Sequence, residues 1–292
     1  MKYSEFRNII FENVKEILGD SYCVELKCNI KNNNKKHWAI VVSGQDERVV
    51  PSIGLEYFYN RYINNEFSLG EVVEEVIDIY NSHKNEINIE DVLNEENIIN
   101  NSYCKLINRE CNENLLKSVP HFDFLDLAIV FYTMINDDAE FCQTMIINNS
   151  LIDMFKISKK TLYKIAIKNT YQNLGIKYFN INEVLYEIVP DTENISDIDM
   201  YVLTNNRKFQ GAISMMDIET LHNISEEFGS NLIILPSSIH EVIIIPYKDD
   251  ISLQFFKDMV TEINNTEVDR EDILSNSVYI YDRSLERLDI YR

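Results

Sequence analysis

The chain has 292 residues, 45% of them hydrophobic, with 27 Lys+Arg against 48 Asp+Glu for a formal net charge of −21. That length suits two domains, each able to bury a core, and the charge opposes polyphosphate backbones and anionic lipid. The 7 glycines never form a G-x-G, which excludes P-loops, dinucleotide fingerprints and kinase-type glycine loops, because each needs backbone that approaches phosphate closely.

Residues 4–18 carry Phe6, Ile9, Ile10, Val14, Ile17 and Leu18 at helical spacing, with Gly19 as the stop. Strands over 22–30 and 37–43 follow, joined by Asn32, Asn33 and Asn34, since Asn tolerates left-handed backbone. From Pro51 an extended-to-helical stretch leads into aromatics at 57, 58, 59 and 62, which read as a core seam. Ser68 and Glu71 form a capping box ahead of the helix 69–83, whose Leu69, Val72, Val73, Val76, Ile77 and Tyr80 share one face. Residues 84–115 are polar and Asn-rich and mark a junction.

The run from Phe122 to Tyr132 reads as one strand covered on both faces, with 140–147 pairing across a turn at Asn136, Asp137 and Asp138. Ser158 caps a helix to about 173, on which Asn169 faces inward and needs a buried hydrogen bond. A short helix at 181–188 and an acidic loop from Asp191 to Asp199 come next. Then follow a strand at 201–204, a helix at 217–228, strands at 232–235 and 241–245, a helix at 252–264, and a final strand at 278–281 hairpinned to 286–291. Short strands with antiparallel neighbours make this α+β rather than doubly wound. The expected architecture is a small N-terminal helix–strand–strand–helix domain with its polar linker at 1–115. A larger, mainly antiparallel α+β domain follows at 116–292.

The start, M-K-Y-S-E-F-R, is charged, and no apolar run reaches the ~20 residues of a membrane helix. A cytoplasmic home is expected. Five cysteines, at 23, 28, 104, 111 and 142, form no C-x-x-C and are read as small, mostly buried apolar residues in a reducing compartment. The histidines form no H-E-x-x-H, and His222 reads as a packing residue. Asp197 and Asp199 read as a solvated acidic loop that lacks the glycine of a calcium loop. Glu25 and Lys27 only partly echo a metal-nuclease motif. No cofactor and no metal are expected. Tyr281, Asp282 and Arg283 suggest a local ion pair.

The most unusual string is Pro236-Ser237-Ser238-Ile239-His240-Glu241. A tight turn there displays hydroxyls, an imidazole and a carboxylate together, the materials of nucleophilic or proton-transfer catalysis. Ser237, Ser238, His240 and Glu241 are therefore the candidate catalytic residues. Ser238 and His240 can share a face, whereas adjacent His240 and Glu241 point apart in extended chain. There is no G-x-S-x-G elbow. The competing reading is a polar turn whose serines bond backbone amides and whose histidine anchors the loop.

Five strings together resemble a family. They are V-P-S-I-G-L-E-Y-F-Y from Val50, D-L-A-I-V-F-Y from Asp126, V-L-T-N from Val202 with Gly211-Ala212, I-L-P-S-S-I-H-E-V from Ile234, and V-Y-I-Y-D-R from Val278. They resemble the bacterial family named domain of unknown function 5688 over nearly the whole chain, P-S-S-I-H-E-V being the most specific part. Gly54 stands where that family usually has Tyr. The resemblance implies a cytoplasmic bacterial protein and brings no activity, substrate or catalytic residue.

Three functions follow as expectations. The first is a non-enzymatic protein-binding or adaptor module favouring a basic partner surface, without direct nucleic-acid or membrane binding. The second is a hydrolase using the Ser238/His240 turn, with Glu241 or Asp126 reaching the imidazole. The third is an acidic mimic or inhibitor of a nucleic-acid-binding protein.

Overall fold

The computed structural model describes residues 1–44, 52–83, 94–137, 142–181, 199–249 and 252–291. The chain divides into two compact units, Met1–Asn97 and Ile98–Arg292.

In the first unit, α1 (Tyr3–Leu18) buries Phe6, Ile10 and Val14 and ends at Gly19, whose φ of 68° suits glycine. Strands β1 (Cys23–Ile30) and β2 (Lys36–Ser43) pair antiparallel. Asn33 and Asn34 take φ of 55° and 56° in the turn between them. A short β3 (Ser52–Gly54), not anticipated from sequence, completes a three-stranded sheet in the order β1-β2-β3. Next come α2 (Glu56–Ile63) and α3 (Leu69–His83). The capping box of α3 is formed: the Ser68 N–H donates to Glu71 Oε2 at 2.8 Å, and the Glu71 N–H donates to Ser68 Oγ at 3.3 Å. Phe6, Ile10, Val24, Ile40, Val42, Phe58, Val76 and Tyr80 close one core inside this unit.

Helix α4 (Glu95–Asn100) spans the boundary and leads into β4 (Ser102–Asn108) of the second unit, a strand that lies inside the stretch expected to be linker. Residues 98–115 thus group with the second unit rather than with the domain expected at 1–115. After α5 (Glu113–Leu116), the apolar run from Phe122 is two strands, not one. Strand β5 (His121–Phe124) and strand β6 (Leu127–Asp137) are separated at Leu125, whose φ is 54°. Strand β6 is central: β4 lines one edge, while β5 and β7 (Cys142–Ile146) share the other.

Helix α6 (Asn149–Met154) precedes α7 (Lys159–Asn169), which Ser158 caps through the Thr161 N–H. Helix α7 stops short of 173, and Thr170–Leu174 widen into a π turn. There the Thr170 hydroxyl donates to the Ala166 carbonyl at 2.7 Å and accepts the Cys104 N–H at 2.9 Å, competing with regular helical bonding. Asn169 Nδ2 faces the carbonyls of Ile99, Asn100 and Ser102 at 3.0–3.1 Å, the hydrogen bonding its inward position requires.

The remaining strands are β8 (Lys177–Asn180), β9 (Tyr201–Thr204), β10 (Leu232–Leu235), β11 (Val242–Pro246), β12 (Tyr279–Asp282) and β13 (Arg287–Ile290). They form an antiparallel sheet in the order β13-β12-β10-β11-β9-β8. The buried turn Gly211–Met216 leads to α8 (Ile218–Phe228). Helix α9 (Leu253–Thr266) packs Phe256 and Val260 with Ile233, Leu235 and Ile245. The architecture is α+β with mainly antiparallel strands. The short helix expected at 181–188 lies outside the described residues beyond Ile181, and so does the acidic loop from residue 191 to residue 198.

Candidate functional site

The P-S-S-I-H-E turn joins β10 to β11, and its backbone is fixed on two sides. On one side lies the segment 269–277. The Leu274 and Ser275 N–H groups donate to the carbonyls of Ser237 and Pro236 at 3.0 and 2.9 Å, and the Ile239 N–H donates to the Asp272 carbonyl at 2.8 Å. On the other side lies the 204–212 loop. The His240 carbonyl accepts the Gly211 N–H at 2.9 Å and the Thr204 hydroxyl at 2.7 Å. Asn205 shapes that loop from within: its Nδ2 donates to the Phe209 carbonyl at 2.8 Å, and its Oδ1 accepts the Arg207 N–H at 3.0 Å.

Gly211 is demanded by this approach. A Cβ there would lie 2.2 Å from Thr204 Oγ1, 2.6 Å from the His240 carbonyl oxygen and 2.7 Å from the Asn205 nitrogen. No side chain larger than hydrogen fits without displacing backbone.

The His240 ring is held at both nitrogens. The Gln210 N–H donates to Nδ1 at 3.3 Å, which makes Nδ1 an acceptor and places the proton of the neutral ring on Nε2. Nε2 faces Asp272 Oδ1, also at 3.3 Å. The Phe209 ring lies 5.5 Å from the imidazole. Ser238 is buried, and its Oγ accepts the His240 N–H at 3.0 Å.

The two residues expected to share a face do meet, but hydroxyl meets backbone amide rather than imidazole. Ser237 is half-buried beside Ser238 and contributes its carbonyl to the 274 amide. Glu241 is half-buried at the mouth of β11. The carboxylate at His240 is Asp272, neither Glu241 nor Asp126. It is separated from His240 by 32 residues and belongs to no periodic pattern, so the sequence carries no signal for it beyond an acidic residue near the next strand.

Asp126 builds a second cluster. Its Oδ2 accepts the hydroxyls of Ser275 at 2.7 Å and Ser277 at 2.8 Å, and its Oδ1 accepts the hydroxyl of Tyr279. Burial, and then the charge of Asp126, raise the Tyr279 phenol far above its ordinary 10.0, so it remains a donor. Asn108 Nδ2 adds a bond to the Leu274 carbonyl at 3.0 Å. The turn between β5 and β6 is thereby tied to the strap that also holds the His240 turn. Three features escaped sequence reasoning: Asp272 at the His240 ring, the Gln210 amide at that ring, and the pairing of Asp126 with three hydroxyls.

Other singled-out residues resolve locally. Glu25 and Lys27 pair with each other at 2.7 Å on an exposed surface. Arg283 pairs with Glu226 of α8, while Asp282 accepts the N–H groups of Ser284 and Leu285 at 2.9 and 3.0 Å, so the expected pair within 281–283 is not the one formed. Cys104 is buried, but Cys23, Cys28 and Cys111 are exposed, against the expectation that cysteines are mostly interior. In β1 only Val24 and Leu26 are withdrawn from solvent, and Cys23 and Cys28 occupy open positions of the strand. Among the described residues no group of three or more His, Cys, Asp or Glu could hold a metal ion, and no helix is long and apolar enough to cross a membrane.

All five family-like strings lie within the stretch 3–283, which is matched by the model described as "Family of unknown function (DUF5688)". The chain belongs to this family. No curated protein and no solved structure matches it. Within the family's stretch, the strings from Asp126, Val202, Ile234 and Val278 all contribute residues to the two hydrogen-bonded clusters above, Thr204 and Gly211 to one and Tyr279 to the other.

Proposed function

We propose that this protein acts by binding another protein, as a non-enzymatic adaptor module in the bacterial cytoplasm, and that the bound protein presents a basic surface. The observation that carries the reading is the engagement of His240. A general base for a serine needs one ring nitrogen aimed at the hydroxyl. Here Nδ1 takes a backbone N–H and Nε2 faces Asp272, while the Ser238 hydroxyl is held by the backbone. The turn is thus bonded as an anchor. The net charge of −21 supports a cationic partner, and the free thiols at 23, 28, 104 and 111 support a reducing compartment.

The test uses the immobilised full chain with host lysate, beside treatment of the soluble protein with a fluorophosphonate probe. The expected result is one stoichiometric protein retained and released by raised salt, with no labelling of Ser237 or Ser238. Labelling that disappears in Ser238→Ala overturns the reading in favour of a hydrolase. Release of the retained protein by added nucleic acid would identify the acidic surface as a mimic of a polyanion.

A further inference from the structure

Helix α9 begins at Ser252, whose Oγ accepts the Phe255 N–H at 3.3 Å. Its inner side buries Phe256, Val260 and Asn264. Its outer side keeps apolar side chains in solvent. Phe255 is 56% exposed and Ile263 37% exposed, with half-buried Met259 between them. These three are spaced i, i+4 and i+8, so they form one apolar ridge along the helix. The next row holds Asp258 and Glu262, both exposed and also four apart. Asp258 accepts a neutral amide from its own helix, that of Gln254 at 2.8 Å. An apolar ridge beside an acidic ridge is a two-row surface.

We infer that this face of α9 docks a cationic amphipathic helix of the partner protein, and the inference rests on the protein-binding reading above. A helix that lays apolar residues at i, i+3/i+4 and i+7 on Phe255, Met259 and Ile263 brings Lys or Arg from its flank over Asp258 and Glu262. Charge complementarity selects this occupant. An anionic or neutral helix would leave the two carboxylates beside a desolvated contact, and a flat polar surface would leave Phe255 in water. Exposed aromatic side chains of this kind dominate interface energetics when they become buried.

The probe is a fluorescein-labelled peptide of Leu and Lys spaced to form an amphipathic helix, with a peptide of the same composition in scrambled order beside it. Fluorescence anisotropy reads binding to the full chain. The helical peptide is expected to bind the wild type more tightly than the scrambled one, with affinity falling as salt rises. Phe255→Asp with Ile263→Asp, and separately Asp258→Lys with Glu262→Lys, are each expected to weaken binding about tenfold or more. These positions face solvent, so unchanged thermal unfolding is expected to show both variants folded. Equal binding of the scrambled peptide, or undiminished binding by folded variants, overturns the proposal. Retention of the lysate protein by the Phe255→Asp/Ile263→Asp chain overturns it as well, yet leaves the protein-binding reading standing. Serine labelling by the fluorophosphonate probe is the result that removes the reading itself.

Discussion

At Gly211 the decisive quantity is a contact of 2.2 Å between a would-be Cβ and Thr204 Oγ1, with two backbone atoms within 2.7 Å. Gly211→Ala must therefore push the 204–212 loop away from the His240 carbonyl. Overpacking of this kind costs about 1–3 kcal/mol, which a urea titration monitored by circular dichroism reads as a lower midpoint with unchanged slope. Glu56 makes a different case, in which pH is the lever. Burial raises its pKa, but the Trp38 N–H, which donates to Oε1 at 2.8 Å, the Tyr3 hydroxyl and His37 outweigh burial and hold it below the ordinary 4.5. Because the folded pKa lies below the unfolded one, the stabilisation is complete above the unfolded value and is lost as pH falls through the folded value. Glu56→Gln is thus expected to lower the melting temperature at neutral pH, and the gap to the wild type should close as the solution is acidified below about 4.5. A gap that stays constant across the acid range would refute the assignment.

At the scale of elements, α3 depends on its capping box. Ser68 Oγ takes the Glu71 N–H, and Glu71 returns the bond to the Ser68 N–H. Ser68→Ala should cost about 1 kcal/mol, measurable as a lowered unfolding midpoint of the first unit. Elements with one wet face were readable from the chain because burial imposes a period: Phe6, Ile10 and Val14 mark α1, and Phe256 and Val260 mark α9. Strand β4 was hidden for the opposite reason. Tyr103, Cys104, Leu106 and Ile107 are all buried, on both faces, so no alternation separates inside from outside. The pause at Leu125 that splits β5 from β6 was equally silent, since a leucine gives no warning of a φ of 54°. The site was readable as a string but not as a geometry. Ser238 and His240 are two apart in sequence, whereas Asp272 and Gln210 reach the ring only through the fold.

For the whole molecule, each unit has a core of its own. The cluster built on Phe6, Ile40, Phe58, Val76 and Tyr80 draws every member from residues before Asn97. A fragment comprising residues 1–97 is therefore expected to unfold cooperatively by itself, with a sigmoidal thermal transition. A gradual, non-cooperative melt would show that the core needs more than these residues supply. In the second unit, apolar clusters such as that of Ile233, Ile245, Phe256 and Val260 are supplemented by a polar knot, in which Asp126 gathers Ser275, Ser277 and Tyr279.

That cluster bears on the behaviour of the protein in alkali. A tyrosine whose folded pKa is raised above its ordinary 10.0 protects the native state below that value and weakens it as pH climbs, because the unfolded chain ionises first. Tyr171 and Tyr178, also raised by burial, add to the effect. The test is an alkaline titration followed by the ultraviolet absorbance of tyrosinate. Tyr279, with Tyr171 and Tyr178, should then ionise in one abrupt step together with loss of ellipticity, so that ultraviolet absorbance reports the moment the Asp126 knot opens.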